Sequence, residues 1–284
     1  MNTVEPSQAE LWAGPLGETW VAKDHIFQAM IAPVGAALLE AATIAPGETV
    51  LDVGCGAGAT SLALARAVTP GGAVTGLDIS PPLLAAARAA MARAGLGNVT
   101  FIEGDASTAA LPQAHFDLLF SRFGVMFFSD PYAAFRHLRA ALKPGGRLVF
   151  SCWGPRVENA WIMTPMKVAR QFIELPHVPA RTPGPFAFEE EDYIRGFLSQ
   201  AGFKAIKITP WRGMLPVGGA GASPAEAARF YLETQAVGQF FAQTPAAVRD
   251  AVEAALAAAL QAFHGPEGVL VPSLAFIVSA RAAS

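Results

Sequence analysis

The sequence predicts an α/β fold, a mostly parallel sheet of seven strands with helices on both faces. Three observations carry this expectation. Short apolar runs alternate with helical patterns from residue 46 to residue 153, as chains of βαβ units do. Turn signals punctuate the alternation at Pro46-Gly47, Pro70-Gly71-Gly72 and Lys143-Pro144-Gly145-Gly146. With 284 residues, 52% hydrophobic and 15% charged, the chain has the length and apolar content for a sizeable buried core and is not a disordered one.

The elements follow in order. Residues 5–45 carry apolar residues at helical spacing, with Pro33 expected to break or kink the pattern. ETVLDVG is a strand and ATSLALARAV a helix; AVTGLDI is the next strand. SPPLLAAARAAMARAGL is a helix with Ser80 as N-cap, Pro81 in the first turn and Gly95 or Gly97 as its end. NVTFIEGD and FDLLFSRF are strands, DPYAAFRHLRAALKPGG is a helix capped by Asp130, and RLVFSCW is the fifth strand. Beyond residue 153 the pattern loosens. A helical stretch (155–175) and a Pro-rich loop (177–188) precede a helix at 189–203 and a strand at 204–211. The Gly-rich connector 217–224 leads to two Ala-rich helices within 223–264, parted at Thr244-Pro245, and GVLVPSLAFIVSAR is the last strand. The organisation read from this is an N-terminal helical lid (1–45), a ligand-binding core (46–153), a helical cap insertion (154–188) and the remainder of the sheet with inserted helices (189–284), all one catalytic domain.

Several function classes are disfavoured. The net charge is −3 and Lys and Arg do not cluster, which argues against a nucleic-acid partner. Cys55 and Cys152 are too few for a disulfide framework or a thiolate metal site, consistent with a reducing cytoplasm. The opening residues lack a signal-peptide pattern, and no uninterrupted apolar run nears the roughly 18 residues that span a bilayer. No metal site and no membrane insertion are expected.

The chemistry concentrates in VLDVGCGAGATS. Gly54, Gly56 and Gly58 follow a strand and open a helix, but no Lys follows, so this is not a phosphate-binding P-loop. Gly54-x-Gly56-x-x-Ala59 fits a dinucleotide loop, with Asp78 twenty residues past Gly58 as a ribose acceptor. Asp52 pulls away from that reading, because a carboxylate inside an apolar strand needs a partner such as a cationic amine. Asp105, after the third strand, supplies another acceptor at the same sheet edge.

VLDVGCGAG, GLDIS, FIEGDAS, FDLLFSRF and LKPGGRLVF, in this order, resemble the class I S-adenosylmethionine-dependent methyltransferases, whose sheet is Rossmann-like. SRFGVMFFSDPYAAFRHLRAALKPGG is similar to the ubiquinone/menaquinone-type branch that methylates small molecules. The resemblance implies S-adenosyl-L-methionine as cofactor, with Gly54, Cys55, Gly56 and Gly58 forming the loop beneath it. It implies Asp52 at the methionine amine, Asp78 on the ribose hydroxyls, Ile79 on the adenine face, Asp105 and Ala106 at the adenine edge, and Ser121 and Arg122 at the methionine end. Phe123 would face the acceptor.

An activated sulfonium methyl needs alignment more than covalent catalysis, so a general base is required only for a nucleophile that must lose a proton. His25 is the candidate base, on an N-terminal helix that could fold over the cofactor; His177 is a second. Aromatic residues in the later segments, Trp153, Trp161, Phe172, Phe186, Phe188, Tyr193, Phe230, Tyr231, Phe240 and Phe241, suggest a hydrophobic or aromatic small-molecule acceptor. A NAD(P)-dependent oxidoreductase, and a sulfonium-cofactor enzyme or binding module that does not transfer methyl, stand as alternatives. The oligomeric state is open, a homodimer included.

Overall fold

The structure is a computed structural model and describes residues 7–283 other than 235 and 243; the lid segment's first six residues lie outside these. Three helices lead in: α1 (Gln8–Ala13), α2 (Pro15–Ala22) and α3 (Asp24–Ala42). A reciprocal capping box starts α1, where the Ser7 amide and hydroxyl both donate to Glu10. Phe27, Met30, Val34, Leu38 and Ala42 form the buried stripe of α3 at helical spacing. Pro33 lies inside this helix without ending it, so of the expected break or kink the break does not occur. By length and composition α3 could cross a membrane. Here its apolar stripe belongs to the hydrophobic core.

The core alternation follows: β1 (Thr49–Val53), α4 (Ala59–Ala67), β2 (Ala73–Asp78), α5 (Pro81–Ala94), β3 (Val99–Glu103), β4 (Phe116–Arg122), α6 (Pro131–Ala141) and β5 (Leu142–Trp153). Gly95 ends α5 with φ of +64°, a left-handed position that glycine occupies without steric cost. Asp130 caps α6 by accepting from the Ala133 amide at 3.0 Å. The C-terminal part adds α7 (Ala160–Ala169), α8 (Glu191–Gln200), β6 (Phe203–Pro216), α9 (Pro224–Thr234), α10 (Ala236–Phe241), α11 (Ala246–Leu260), the short β7 (His264–Gly265) and β8 (Gly268–Ala282). α11 starts directly after Thr244-Pro245, where the parting of the Ala-rich helices is expected.

The sheet order is β3-β2-β1-β4-β5-β8-β6, with β7 paired only to β8. The pairs among β1 to β5 are parallel, and β8 runs antiparallel to both β5 and β6. From β1 the chain steps outward to β2 and β3, then returns to the other side for β4 and β5. Right-handed crossovers place α4 and α5 on one face and α6 on the other. The reversal leaves a crevice at the carboxyl ends of β1 and β4, where ligands of open α/β sheets bind. On the α6 face, Phe135 stacks on Phe197 of α8 at 4.8 Å and touches Phe150 of β5 at 5.6 Å.

Candidate functional site

The cavity opens in that crevice, with a volume of about 420 Å³, within the range of small-ligand pockets. Its floor is the turn after β1. Gly54 and Gly56 have φ of +68° and +56°, and the Gly54 and Cys55 amides both donate to the Leu77 carbonyl, at 2.8 and 3.2 Å. A Cβ on Gly54 would come within 2.7 Å of the Gly124 Cα, whereas one on Gly56 would meet nothing within 4 Å. Gly54 thus permits two loops to cross, and Gly56 keeps the backbone open to the cavity.

Asp78 ends β2 and lines the cavity. Its Oδ2 accepts from the Gly56 amide at 2.7 Å and its Oδ1 from the Ser80 amide at 2.9 Å. Burial pushes its carboxyl up in pKa, and these backbone donors oppose the shift. Ile79, Asp105, Ala106, Arg122 and Phe123 line the same cavity. Asp105 Oδ1 accepts from the Ser107 amide and hydroxyl at 2.8 and 2.6 Å, closing an Asx-type turn.

Five expected site residues stand elsewhere. Asp52 is wholly buried behind the cavity. Its Oδ2 accepts from the Thr60 and Ser61 hydroxyls at 2.7 and 2.6 Å, while Oδ1 is buried with no partner. The partner that this carboxylate demanded is thus, in the first place, a pair of hydroxyls on α4. Burial pushes it up to about 6, against those hydrogen bonds and the attraction of Arg122. Cys55 is buried filler away from the lining, its thiol raised by burial. Gly58 starts α4 at φ +85°, where a Cβ would lie 3.0 Å from that of Ala87 on α5; it serves packing. Ser121 is a turn clamp: its hydroxyl donates to the Val53 carbonyl at 2.7 Å and accepts from the Gly124 amide at 3.2 Å. His25 is exposed on α3 and does not line the cavity, so the structure gives it no place as a base. His177 is exposed too.

The clamp has a consequence for Phe123. Its φ is +62°, strain of the kind that persists where the surroundings over-determine it. Its ring stacks on Trp153 at 4.2 Å and 17°, and Trp153 contacts Trp161 at 4.9 Å. Facing walls come from the N-terminal helices, where Trp20 stacks on Phe27 at 3.8 Å and Trp12 meets Phe127 edge-on at 5.6 Å. Of the ten later aromatics expected to form an acceptor pocket, only Trp153 and Trp161 line it. Phe188 belongs to the core, and Phe186 stacks behind Trp161 at 5.5 Å. Trp12, Trp20 and Phe27 were missed because only tertiary packing brings α1 to α3 over the strand ends. Thr60 and Ser61 carried a readable signal: two hydroxyls in the first turn after a glycine loop, beneath a buried acid.

Comparison with known proteins agrees with this geometry. A family model described as "Methyltransferase domain" matches residues 50–146. Nocamycin O-methyltransferase of Saccharothrix syringae is 37% identical over 138 residues, 48% of this chain and 49% of that protein, so the match spans about half of that relative. An uncharacterized protein of Mycobacterium tuberculosis is 33% identical over 202 residues, covering 70% of this chain and 69% of its own length. Among solved structures, the YcgJ protein of Bacillus subtilis superposes with a TM-score of 0.60 at 18% identity, covering 89% of this chain and 99% of that one.

Proposed function

The chain belongs to the class I S-adenosylmethionine-dependent methyltransferases, and we propose that it transfers a methyl group to a small apolar, aromatic acceptor. One observation carries this reading. A single cavity has acceptor carboxylates from Asp78 and Asp105 as polar residues of its lining, and rings from Trp12, Trp20, Phe123 and Trp153 in its apolar wall. The residues fit the cofactor. Asp78 has lone pairs left over from its two backbone bonds for vicinal hydroxyls. Ile79 offers an apolar face, Asp105 and the Ala106 amide an edge for a purine, and the open path over Gly56 room for a chain without a Cβ in the way.

When bound, S-adenosylmethionine supplies an electrophilic methyl on a sulfonium sulfur. The protein orients and dries the reaction. Phe123 and Trp153 hold a flat acceptor against the turn after β4, and α1 to α3 cover it as a lid and exclude water. The likeness of the segment 121–146 to the quinone-type branch also favours an apolar acceptor.

Calorimetric titration tests the reading. S-adenosylhomocysteine should bind and NADH should not, and Asp78→Ala should weaken S-adenosylhomocysteine by about 1.5–3 kcal/mol through lost charged hydrogen bonds. Binding of NADH alone would make the chain an oxidoreductase. Binding of S-adenosylhomocysteine with no methylation across a broad panel of aromatic acceptors would leave a binding module.

A further inference from the structure

The cavity's titratable lining is unusual in what it holds. Among the described residues it includes Asp78, Asp105, Asp130 and Arg122, with no His, Lys, Cys, Tyr or Glu. Asp78 is committed to the glycine turn, Asp105 to its own Asx turn and Asp130 to the cap of α6. Each thus accepts a backbone hydrogen bond, and Asp78 and Asp105 serve the cofactor in the reading above. The remaining group is a cation. Arg122 ends β4 next to Phe123, and its guanidinium rests on α3, where a Cβ on Gly35 would lie 3.2 Å from NH1. α3 also supplies Phe27, Met30 and Ile31 to the apolar part of the lining.

That guanidinium has five N–H donors and one hydrogen bond among the described residues, from NH2 to Gln28 Oε1 at 2.6 Å. Gln28 is in turn held by Asp24, its Nε2 donating to Oδ1 at 3.0 Å. No carboxylate stands within ion-pair distance of Arg122 in the described structure. The carboxylates of Asp52 and Asp24 act on it only from beyond ion-pair distance; a largely desolvated cation with no anion in contact is costly, and Arg is the side chain best shaped to receive a carboxylate or phenolate oxygen in a fork.

Building on the methyl-transfer reading, we infer that the acceptor is a planar aromatic anion, a carboxylate or an acidic phenol or enol, whose charged oxygen is read by Arg122 tethered through Gln28. Such a substrate needs no general base. The oxyanion brings its own lone pair, which forms the new O–C bond while the C–S pair passes to sulfur. The negative and sulfonium charges cancel, and no proton moves. Arg122 is a specificity residue in this scheme, and Gln28 a positioning residue that acts through it.

The test uses the full chain saturated with S-adenosylhomocysteine and a matched pair of probes, 2-naphthoate and the uncharged 2-naphthamide, followed by tryptophan fluorescence and calorimetry. The anion should bind about tenfold tighter than the amide, as a charge-assisted fork implies. Arg122→Gln should erase that preference while changing affinity for 2-naphthamide by less than about twofold; Arg122→Lys should keep part of it. Equal binding of the two probes, or no binding of naphthoate at millimolar concentration, overturns the inference. So does an Arg122→Gln protein that loses S-adenosylhomocysteine and keeps the naphthoate preference, which would assign the arginine to the cofactor's own carboxylate. If Arg122→Gln fails to fold by circular dichroism, Gln28→Ala takes its place: a reduced preference supports the inference, and an unchanged one overturns it. Failure of S-adenosylhomocysteine to bind the unaltered protein is seen before any probe is added and counts against the methyl-transfer reading itself. The naphthoate preference is then measured on the free protein.

Discussion

A carboxylate sealed inside a parallel sheet is the residue on which the sequence speaks most directly. Asp52 interrupts an apolar strand, and its need for partners was legible; which side chains meet it depends on how α4 sits above β1. Displacement from 3.8 to about 6 corresponds to roughly 3 kcal/mol at about 1.4 kcal/mol per tenfold change in proton affinity. The sign is set by the direction. Below pH 4 the group is protonated folded and unfolded. Between 4 and 6 the unfolded chain ionises first, so the folded state binds more protons and stability falls as pH rises. Arg122 favours the charged form and Asp78 opposes it, which leaves burial dominant. Asp52→Asn keeps an acceptor for both hydroxyls and removes the titration. Urea unfolding should find the variant gaining roughly 3 kcal/mol on the unaltered protein between pH 4 and pH 7. A pH-independent difference would show that the carboxylate is solvated. Ser121 teaches the opposite lesson. Its position at the end of β4 marked it for the cofactor, yet its hydroxyl fixes the turn that throws Phe123 into the left-handed region. A motif position shows where a residue stands, not which of its neighbours it serves.

Among elements, β1 to β5 and α4 to α6 were readable because each carries its own period and its own stops. The lid was readable only as helix. What α1 covers is decided by contacts absent from local sequence. Ser80 shows this best: it stands at the N-cap position of α5 but makes no side-chain cap there. Its hydroxyl donates instead to the Trp12 carbonyl of α1 at 2.7 Å, and Gly17 of α2 packs so closely that a Cβ would lie 2.9 Å from that same oxygen. The buried serine therefore latches the lid next to Asp78. Ser80→Ala should cost the latch about 1 kcal/mol, or about fivefold in the opening equilibrium. Hydrogen exchange should quicken by that factor in α1 and stay unchanged in β1 and β4. Equal protection of α1 in the two proteins would mean that the aromatic contacts of Trp12 hold the lid alone.

For the whole molecule, the topology explains why a cofactor should bind and stabilise at once. β1 and β4 part at the reversal of strand order, and loops from β1, β2, β3 and β4 all reach one cavity, while the lid bridges them from α3 through α1 to α5. A ligand there touches both halves of the sheet and the N-terminal helices, none of which is joined to the others by a disulfide, since Cys55 and Cys152 are both free. Binding to the folded state alone adds RT ln(1 + [L]/Kd), about 2.7 kcal/mol at a hundredfold excess over Kd. In a chain of this length each kcal/mol moves the midpoint by roughly 2 °C, so saturating S-adenosylhomocysteine should raise Tm by roughly 5 °C. The increment should grow with the logarithm of ligand concentration and shrink in Asp78→Ala, whose lost affinity lowers [L]/Kd at the same dose. NADH at equal concentration should leave the midpoint in place. A rise with NADH and none with S-adenosylhomocysteine in differential scanning calorimetry would mean that the crevice between β1 and β4 holds a nicotinamide dinucleotide, with Asp78 serving its ribose instead.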